Sequence, residues 1–388
     1  MIVISVLAIG SVAILFWMYA GYPISLLFTS KKDKPQQDHF QFPRISLIIP
    51  TYNEEVVIKR KIENVLALDY PKNLLEVFLV DSNSKDATLE IVRRFEPTVH
   101  IIPLDHKPGK AGAINQTLPH TTGDIVIITD ANAFMKQDVL KEIAKKFSDE
   151  KVGAVTGAMR QVQKNESSVS AGGGMYWKLE MFMRKKEASL HSVVAMSGEV
   201  SAFRRKLLVD EHNAVKPWYV PGGTDDFEMT IWIIRHGYRV AYADTAEVWE
   251  YTPDTVSDFL KQKVRIITQT IISIKRNIKA IFSTGLYGAY ILVSRKVLPL
   301  FSPFLLLLLF ICSLILSFTN TFWLIVFILQ LLIYFVSFLS TFSTTLQGFL
   351  GMPFFFVVLN YSVFLAWMHY WKGVDYTHWE TVKSTREL

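Results

Sequence analysis

A single cysteine, Cys312, occurs among 388 residues. A disulfide framework and a cysteine-based zinc site are thereby excluded. Charge is missing from two long blocks. Residues 1–30 contain no Asp, Glu, Lys, Arg or His, and residues 297–371 contain no acidic side chain, Lys or Arg. The first block lacks a basic leading segment, and its apolar run is longer than that of a typical signal peptide, so a retained anchor is expected rather than a cleaved leader. The expected spans hold one ionisable side chain, His369. Transport pathways through a membrane usually carry buried charges, which argues against a transporter. No internal repeat is visible.

Half of the residues are hydrophobic and the mean hydropathy is +0.25, too apolar for an ordinary soluble enzyme. A bilayer core takes roughly 20 apolar residues per helix, so spans are expected at 3–28, 297–318, 322–341 and 349–371. The expected division is an N-terminal transmembrane helix (1–30), a cytoplasmic domain (31–254), amphipathic interfacial helices (255–296), three transmembrane helices (297–371) and a C-terminal tail (372–388). Of 41 Lys and Arg, all but Lys372, Lys383 and Arg386 lie within 31–296. Lys31, Lys32 and Lys34 after the first span, with Arg295 and Lys296 before the second, mark the cytoplasmic side of the cell membrane. Three further spans put the tail outside. The stretch 371–388, with two Trp and three basic residues, suits the inner surface equally, if one C-terminal span is interfacial or re-entrant. Anionic membrane lipids and the positive-inside bias account for the net charge of +6 and the pI near 9.1, so no nucleic acid partner is expected.

Between 31 and 296 short apolar runs alternate with helical segments. Strands are read at 45–50, 75–80, 99–103 and 125–129, and helices at 54–68, 86–95 and from 111. That rhythm implies an α/β fold with a mostly parallel sheet, whose polar loops gather on one edge. Beyond 150 it loosens. A strand is read at 152–162, a flexible joint at Gly172-Gly173-Gly174, and a helix at 176–190. Short strands are read at 200–203, 240–242 and 247–251, and a helix at 227–236. A basic amphipathic helix at 255–279 is suited to the membrane surface.

Candidate chemistry sits at the strand ends. The run 125–129 leads into Asp130 and Asn132, and two oxygen ligands one residue apart suit a hard divalent cation that also takes phosphate oxygens. An ordinary turn after a strand explains the same residues. In Thr51-Tyr52-Asn53-Glu54-Glu55, a Tyr face can stack on a base and Glu can bond a base edge or ribose; a capped helix start reads the same way. Asp81 can accept from a base or a ribose hydroxyl, or can form an Asx turn. Lys110, behind Pro108-Gly109 and just before a helix, can pair with a diphosphate at the helix's positive end, or be a solvated lysine. Asp225, Asp226 and Glu228 crowd a helix start behind Gly222-Gly223. Neighbouring acids raise a carboxylate's pKa, which suits a general base, and plain capping is the alternative.

In order along the chain these are Thr51-Tyr52-Asn53-Glu54-Glu55, Asp81, Lys110-Ala111-Gly112-Ala113-Ile114-Asn115 and Asp130-x-Asn132. Ser197-Gly198 running to Ser201-Ala202-Phe203-Arg204-Arg205, Thr224-Asp225-Asp226 and Gln262-x-x-Arg265 complete the series. It resembles the membrane-bound family 2 glycosyltransferases, the cellulose, hyaluronan, chitin and poly-N-acetylglucosamine synthases and their relatives. The likeness covers about residues 45–296 and the flanking spans. It implies a nucleotide-sugar-binding domain of GT-A type flanked by transmembrane helices. It implies that Thr51, Tyr52, Glu54 and Asp81 line the base and ribose pocket, that Lys110 approaches the diphosphate, and that Asp130 holds the nucleotide and, with Asn132, a Mg2+ or Mn2+ ion. Asp226 would be the general base, with Gln262 and Arg265 beside the diphosphate and acceptor. The implied activity is inverting transfer of a sugar from a UDP-sugar to a growing polysaccharide or a lipid-linked acceptor. Single-sugar transfer to a lipid, and a catalytically weak nucleotide-sensing or assembly subunit of a polysaccharide-export complex, are the alternatives. Two positions depart from the family pattern. Asn132 stands where relatives carry Asp, which leaves the metal one charge short. Ile266 stands in place of the Trp of Gln-x-x-Arg-Trp, which puts polymer synthesis in question. Trp218, with Asp225, offers another acceptor face; a loop aromatic packed on the domain is the other reading of Trp218.

Overall fold

In the computed structural model, which describes residues 1–29, 41–162, 168–194, 196–217, 224–251, 253, 255–342, 351–376 and 386, the apolar helix α1 (Ile2–Phe16) leads through one π turn into the short α2 (Tyr22–Ser25). The sheet then builds through β1 (Ile45–Thr51), α3 (Ile58–Leu66), β2 (Leu75–Asp81), α4 (Thr88–Arg93), β3 (His100–Pro103), α5 (Gly109–Thr117) and β4 (Ile125–Thr129). Both β1 and β4 are buried at every position, as central strands covered on both faces must be. Alternate side chains divide between two cores. Leu47, Ile49, Ile125 and Ile127 pack under Ile58 and Ile62 of α3. Ile48, Val126 and Ile128 face the other way, toward Ala111 and Ile114 of α5. The period-two geometry of a strand requires this split.

The chain continues through β5 (Phe134–Met135), α6 (Val139–Lys146), β6 (Val152–Val162), α7 (Ser168–Leu190), β7 (Val200–Arg204), α8 (Asp225–Arg235) and β8 (Arg239–Tyr251). The strand order is β3-β2-β1-β4-β7-β6-β8-β5. The β3-β2-β1-β4 half is parallel, as expected. β7 runs antiparallel to both β4 and β6, and β5 runs antiparallel to β8. With β6 parallel to β8 the sheet is mixed but mostly parallel, and its second half differs from the sequence reading in two ways. The joint expected at Gly172-Gly173-Gly174 lies inside α7. The two short strands expected at 240–242 and 247–251 are one strand, β8, carried past a register shift opposite Gly157 and Ala158. Trp218, Gly222, Gly223, Lys31, Lys32, Lys34 and Lys383 lie outside the described residues, as does the Asp225 side chain.

The remainder is helical: α9 (Val256–Phe282), α10 (Gly285–Leu292), α11 (Ser302–Ser317), α12 (Thr321–Ser340) and α13 (Gly351–Trp371). Thr255 caps α9 by accepting from the Asp258 amide at 3.1 Å. Four helical stretches among the described residues are long and apolar enough to cross a membrane: Ile2–Phe28, Gly285–Ser317, Thr321–Ser340 and Gly351–Trp371. The last of these runs beside α9 in the same direction. Phe259 meets Phe355 with ring centroids 5.6 Å apart, Thr268 donates to the Ala366 carbonyl at 3.3 Å, and the Lys275 ammonium sits 5.5 Å from the Tyr370 ring.

A buried ion network ties the membrane helices to the sheet domain. Arg295 donates to Glu180 and to Glu187 at 2.7 Å each, Arg184 donates to Glu180 at 3.0 Å, and the Tyr22 hydroxyl donates to Glu187 at 2.7 Å. The two arginines hold the Glu180 carboxyl far below its ordinary pKa against the opposing effect of burial.

Candidate active site

Register explains what meets at the end of β4. Thr129 pairs with Val200 at the start of β7, so the Ser197-Gly198-Glu199 turn arrives beside Asp130. Phe134 pairs with Trp249, so Glu250 arrives beside Asn132. The Asn132 amide donates to Glu250 at 2.6 Å, and its Oδ1 accepts no hydrogen bond among the described residues. Burial first, then the Glu199 and Asp130 charges, push Glu250 up to about 8, while Arg386 and the Asn132 amide pull it down. Lys110, in the first turn of α5, sits 2.6 Å from Asp130 Oδ1. Gly198 closes over this pair: a Cβ there would stand 3.5 Å from the Lys110 ammonium. Among the expected metal ligands, then, Asp130 and Asn132 are neighbours, and Glu250 adds a carboxylate that no local motif announces. One or two carboxylates and an amide oxygen are a donor set that fits a hard divalent cation which also takes phosphate oxygens.

Lys61 is a second residue that the sequence reading missed. It is fully buried in α3. Its ammonium donates to the Thr129 hydroxyl at 2.8 Å and to the Ala133 carbonyl, clasping the Asp130-Ala131-Asn132 turn from beneath. Burial lowers its pKa to about 7, with Asp130 pulling the other way.

Asp226 lies in the first turn of α8, half-buried, its Oδ1 accepting from the Phe227 amide at 2.8 Å. The start of α8 is pinned to α9: the Thr224 amide donates to the Ser273 hydroxyl at 2.9 Å, and that hydroxyl donates to Glu228 at 3.0 Å. Glu228 is therefore a tether between helices. One cavity of about 910 Å³ is lined by Lys110, Asp130, Asn132, Asp226, Gln262 and Arg265. Glu199, Glu250 and Ile266 also face it.

Four expected nucleotide contacts lie outside that lining. Thr51 is buried, its hydroxyl spent on the Val80 carbonyl at 3.1 Å. Asp81 forms an Asx turn, accepting from the Ser84 amide and hydroxyl. Tyr52 carries the Lys107 ammonium 3.7 Å above its ring. Glu54 is fully buried and gripped in two-point fashion by Arg386, at 2.8 and 2.9 Å. Burial raises the Glu54 pKa and Arg386 opposes the rise. Thr51 and Asp81 are register partners, so all four still belong to the same sheet edge as Asp130. Arg386, 332 positions from Glu54, also lines the cavity.

Comparison with known proteins agrees with this geometry. Residues 43–268 match the model described as "Glycosyltransferase like family 2". A probable glycosyltransferase of Bacillus subtilis, YdaM, is 27% identical over 271 residues, covering 65% of this chain and 61% of its own length. Poly-beta-1,6-N-acetyl-D-glucosamine synthase of Staphylococcus aureus is 27% identical over 282 residues, covering 72% and 67%. This chain thus spans about three fifths of the Bacillus protein. Among solved structures, a mannosyltransferase of Pyrobaculum calidifontis in complex with GDP-Man and Mn2+ superposes with a TM-score of 0.70 at 23% identity, covering 96% of this chain and 98% of that one. The sheet, its strand-end cleft and the matched residues lead to one conclusion: the chain belongs to glycosyltransferase family 2, with a GT-A fold.

Proposed function

We propose that the protein is an inverting glycosyltransferase that moves a sugar from a UDP-sugar to a growing polysaccharide or glycolipid acceptor at the cytoplasmic face of the membrane. The observation that carries this reading is the single cavity bearing Lys110, Asp130, Asn132, Asp226, Gln262 and Arg265. Asp226 takes the proton of the acceptor hydroxyl as its oxygen attacks the anomeric carbon. The sugar–phosphate bond breaks on the opposite face, UDP leaves with the electron pair, and the single displacement inverts the anomeric centre. Lys110 and Arg265 face the diphosphate, where negative charge develops. Asp130, Asn132 and Glu250 would hold a divalent cation, Mg2+ or Mn2+, which when bound neutralises diphosphate charge.

The Asp226→Asn variant tests the base. Transfer is expected to fall by about 10²–10⁴-fold with UDP affinity retained; near-normal turnover would remove Asp226 from that role. Release of UDP or GDP across a donor panel checks the base of the nucleotide, since the Pyrobaculum relative was solved with GDP-Man. Ile266 favours a second reading of the product. It faces the cavity where the resemblance puts a Trp, and an aliphatic side chain gives a sugar ring no stacking face. Single-sugar transfer then replaces polymerisation, and product length on a gel separates the two.

Orientation follows from parity. Arg386 touches Glu54, so both lie on one side of the membrane and the chain between them crosses an even number of times. Of the three apolar stretches between them, α13 is the one laid along the cationic α9. We infer that α11 and α12 cross, that α13 lies in the interface, and that the tail returns to the cytoplasmic side.

A further inference from the structure

Lys61 stands on the face of α3 that the core fills with apolar side chains. Ile58, Ile62 and Val65 are buried on that face, and Lys61 is itself fully buried. Placing an ammonium there is costly, and an apolar side chain of similar length would pack with less penalty, so packing does not account for the lysine. Its contacts do. The ammonium donates to the Thr129 hydroxyl at 2.8 Å and to the Ala133 carbonyl, the two residues that flank Asp130-Ala131-Asn132. The Thr129 hydroxyl passes the contact on, donating to the Glu199 carbonyl at 2.8 Å. The turn also closes on itself, with the Ala133 amide donating to the Asp130 carbonyl at 3.2 Å. One turn further along the same face of α3, Asn64 takes both main-chain groups of Met135: it donates to the carbonyl at 2.9 Å and accepts from the amide at 2.8 Å. Lys61 and Asn64 therefore grip residues 129–135 from the α3 side, while Asp130 and Asn132 face the cavity. Through Thr129 the grip reaches the Ser197-Gly198-Glu199 turn, which lines the same cavity.

We propose that Lys61 is a positioning residue of the transfer reaction. Acting through Thr129 and Ala133, it holds the Asp130-Ala131-Asn132 turn and the Glu199 main chain in the arrangement that receives the cation and diphosphate of the donor. This deepens the transferase reading above and rests on it. Two ligands one residue apart on a turn move together if the turn rocks, so their spacing to a cation depends on whatever fixes the main chain around them. Groups that orient metal ligands in this way matter about 10–100-fold in metal affinity. Charge acts in the opposite sense. Asp130 feels the field of the Lys61 ammonium, and a positive charge beneath a cation site repels the cation. If charge were the whole effect, losing the lysine would tighten metal binding; if positioning dominates, losing it loosens metal binding. The sign of one measurement therefore separates the two, and Thr129, which carries no charge, separates them again.

The test uses the full-length protein in phosphatidylcholine nanodiscs. Electron paramagnetic resonance measures Mn2+ affinity in the presence of UDP, and hydrogen exchange follows the amides of residues 130–135. Melting temperatures are taken on the same preparations. Lys61→Met and the near-isosteric Thr129→Val are each expected to weaken Mn2+ binding by about 10–100-fold and to speed exchange in the turn. Thr129→Ser keeps the hydroxyl and is expected to bind Mn2+ close to wild type. Val65→Ala opens the same face of α3 without touching the turn; it is expected to melt earlier and to bind Mn2+ as wild type does. Thr129→Val binding Mn2+ as wild type overturns the proposal, and tighter binding in Lys61→Met beside it assigns the lysine to charge alone. Val65→Ala losing Mn2+ as far as Lys61→Met also overturns it, because general loosening of α3 then suffices. So does Thr129→Ser failing with Thr129→Val, which assigns the loss to packing at position 129. A wild type that binds neither UDP nor GDP with Mn2+ sinks the transferase reading and this role with it. A wild type that binds both ligands, with all four variants unchanged, sinks the positioning role alone.

Discussion

Asn132 stands where the resemblance puts an Asp, and its neighbour changes what that departure means. The amide donates to Glu250, so the carboxyl group missing at position 132 stands one side chain away. Restoring it has a calculable consequence. In Asn132→Asp two carboxylates meet and a hydrogen bond is lost, at a cost of about 1–3 kcal/mol. The variant is therefore expected to melt earlier than wild type in chelator and to gain more from added Mn2+. An equal Mn2+ response in the two proteins would separate residue 132 from the cation. Lys61 makes a second prediction, in pH. Its folded pKa, lowered to about 7, lies below the value of about 10.4 for an unfolded lysine, so the unfolded chain holds the proton more tightly. Below about pH 7 the lysine is charged in both states and the full burial penalty stands. As pH rises between the two values folding releases a proton, and stability climbs by up to about 1.4 kcal/mol per pH unit. Lys61→Met removes the titration and leaves the Ala133 carbonyl without this donor. Wild type should gain thermal stability over the variant as pH is raised from about 7 to about 9. Parallel melting curves across that range would show that Lys61 stays charged in the fold.

At the scale of elements, the parallel half of the sheet was legible in the sequence because each strand there is a closed apolar run with a polar break behind it. β4 begins and ends where its composition changes. The second half was less legible, since its strands owe their limits to partners distant in sequence. The pair 240–242 and 247–251 looks broken at Asp244-Thr245, yet β6 holds both pieces in one strand across the register shift at Gly157 and Ala158. Gly172-Gly173-Gly174 looked like a joint because glycine disfavours helix by about 1 kcal/mol each; the packed remainder of α7 outweighs that. The same logic hid Glu250 and Arg386, which reach the site through sheet register and through the tail, with no motif of their own. Gly157 tests how far the site depends on this half. A Cβ there would stand 2.6 Å from the Val200 methyl and 2.8 Å from the Ala246 carbonyl. Gly157→Ala is expected to cost about 1–3 kcal/mol by overpacking. Because β7 and β8 deliver Glu199 and Glu250, it should also weaken Mn2+ binding. A variant that melts early but binds Mn2+ as wild type would confine the damage to packing.

For the whole molecule, composition located the four apolar stretches but could not decide how many cross, because α13 satisfies the same length and hydropathy rules as α11 and α12. A tertiary contact supports the even count proposed above: Arg386 bonds to Glu54 at 2.8 and 2.9 Å, and groups that close share one side of a bilayer. Neighbouring elements agree. Besides Lys263 and Arg265, which line the cavity, α9 carries Lys261, Lys275, Arg276 and Lys279, too many charges for a span and well suited to an anionic surface, and α13 lies against it along its length. Replacing Cys312 with Ala gives a background for single cysteines at exposed positions: His120→Cys in the sheet domain, Thr319→Cys between α11 and α12, and Lys372→Cys after α13. With a membrane-impermeant maleimide applied to intact cells, only Thr319→Cys is expected to react, and after permeabilisation all three should. Lys372→Cys reacting together with Thr319→Cys would make α13 a true crossing. The Arg386–Glu54 contact could then not form in the membrane, and the tail would have to leave the donor cleft.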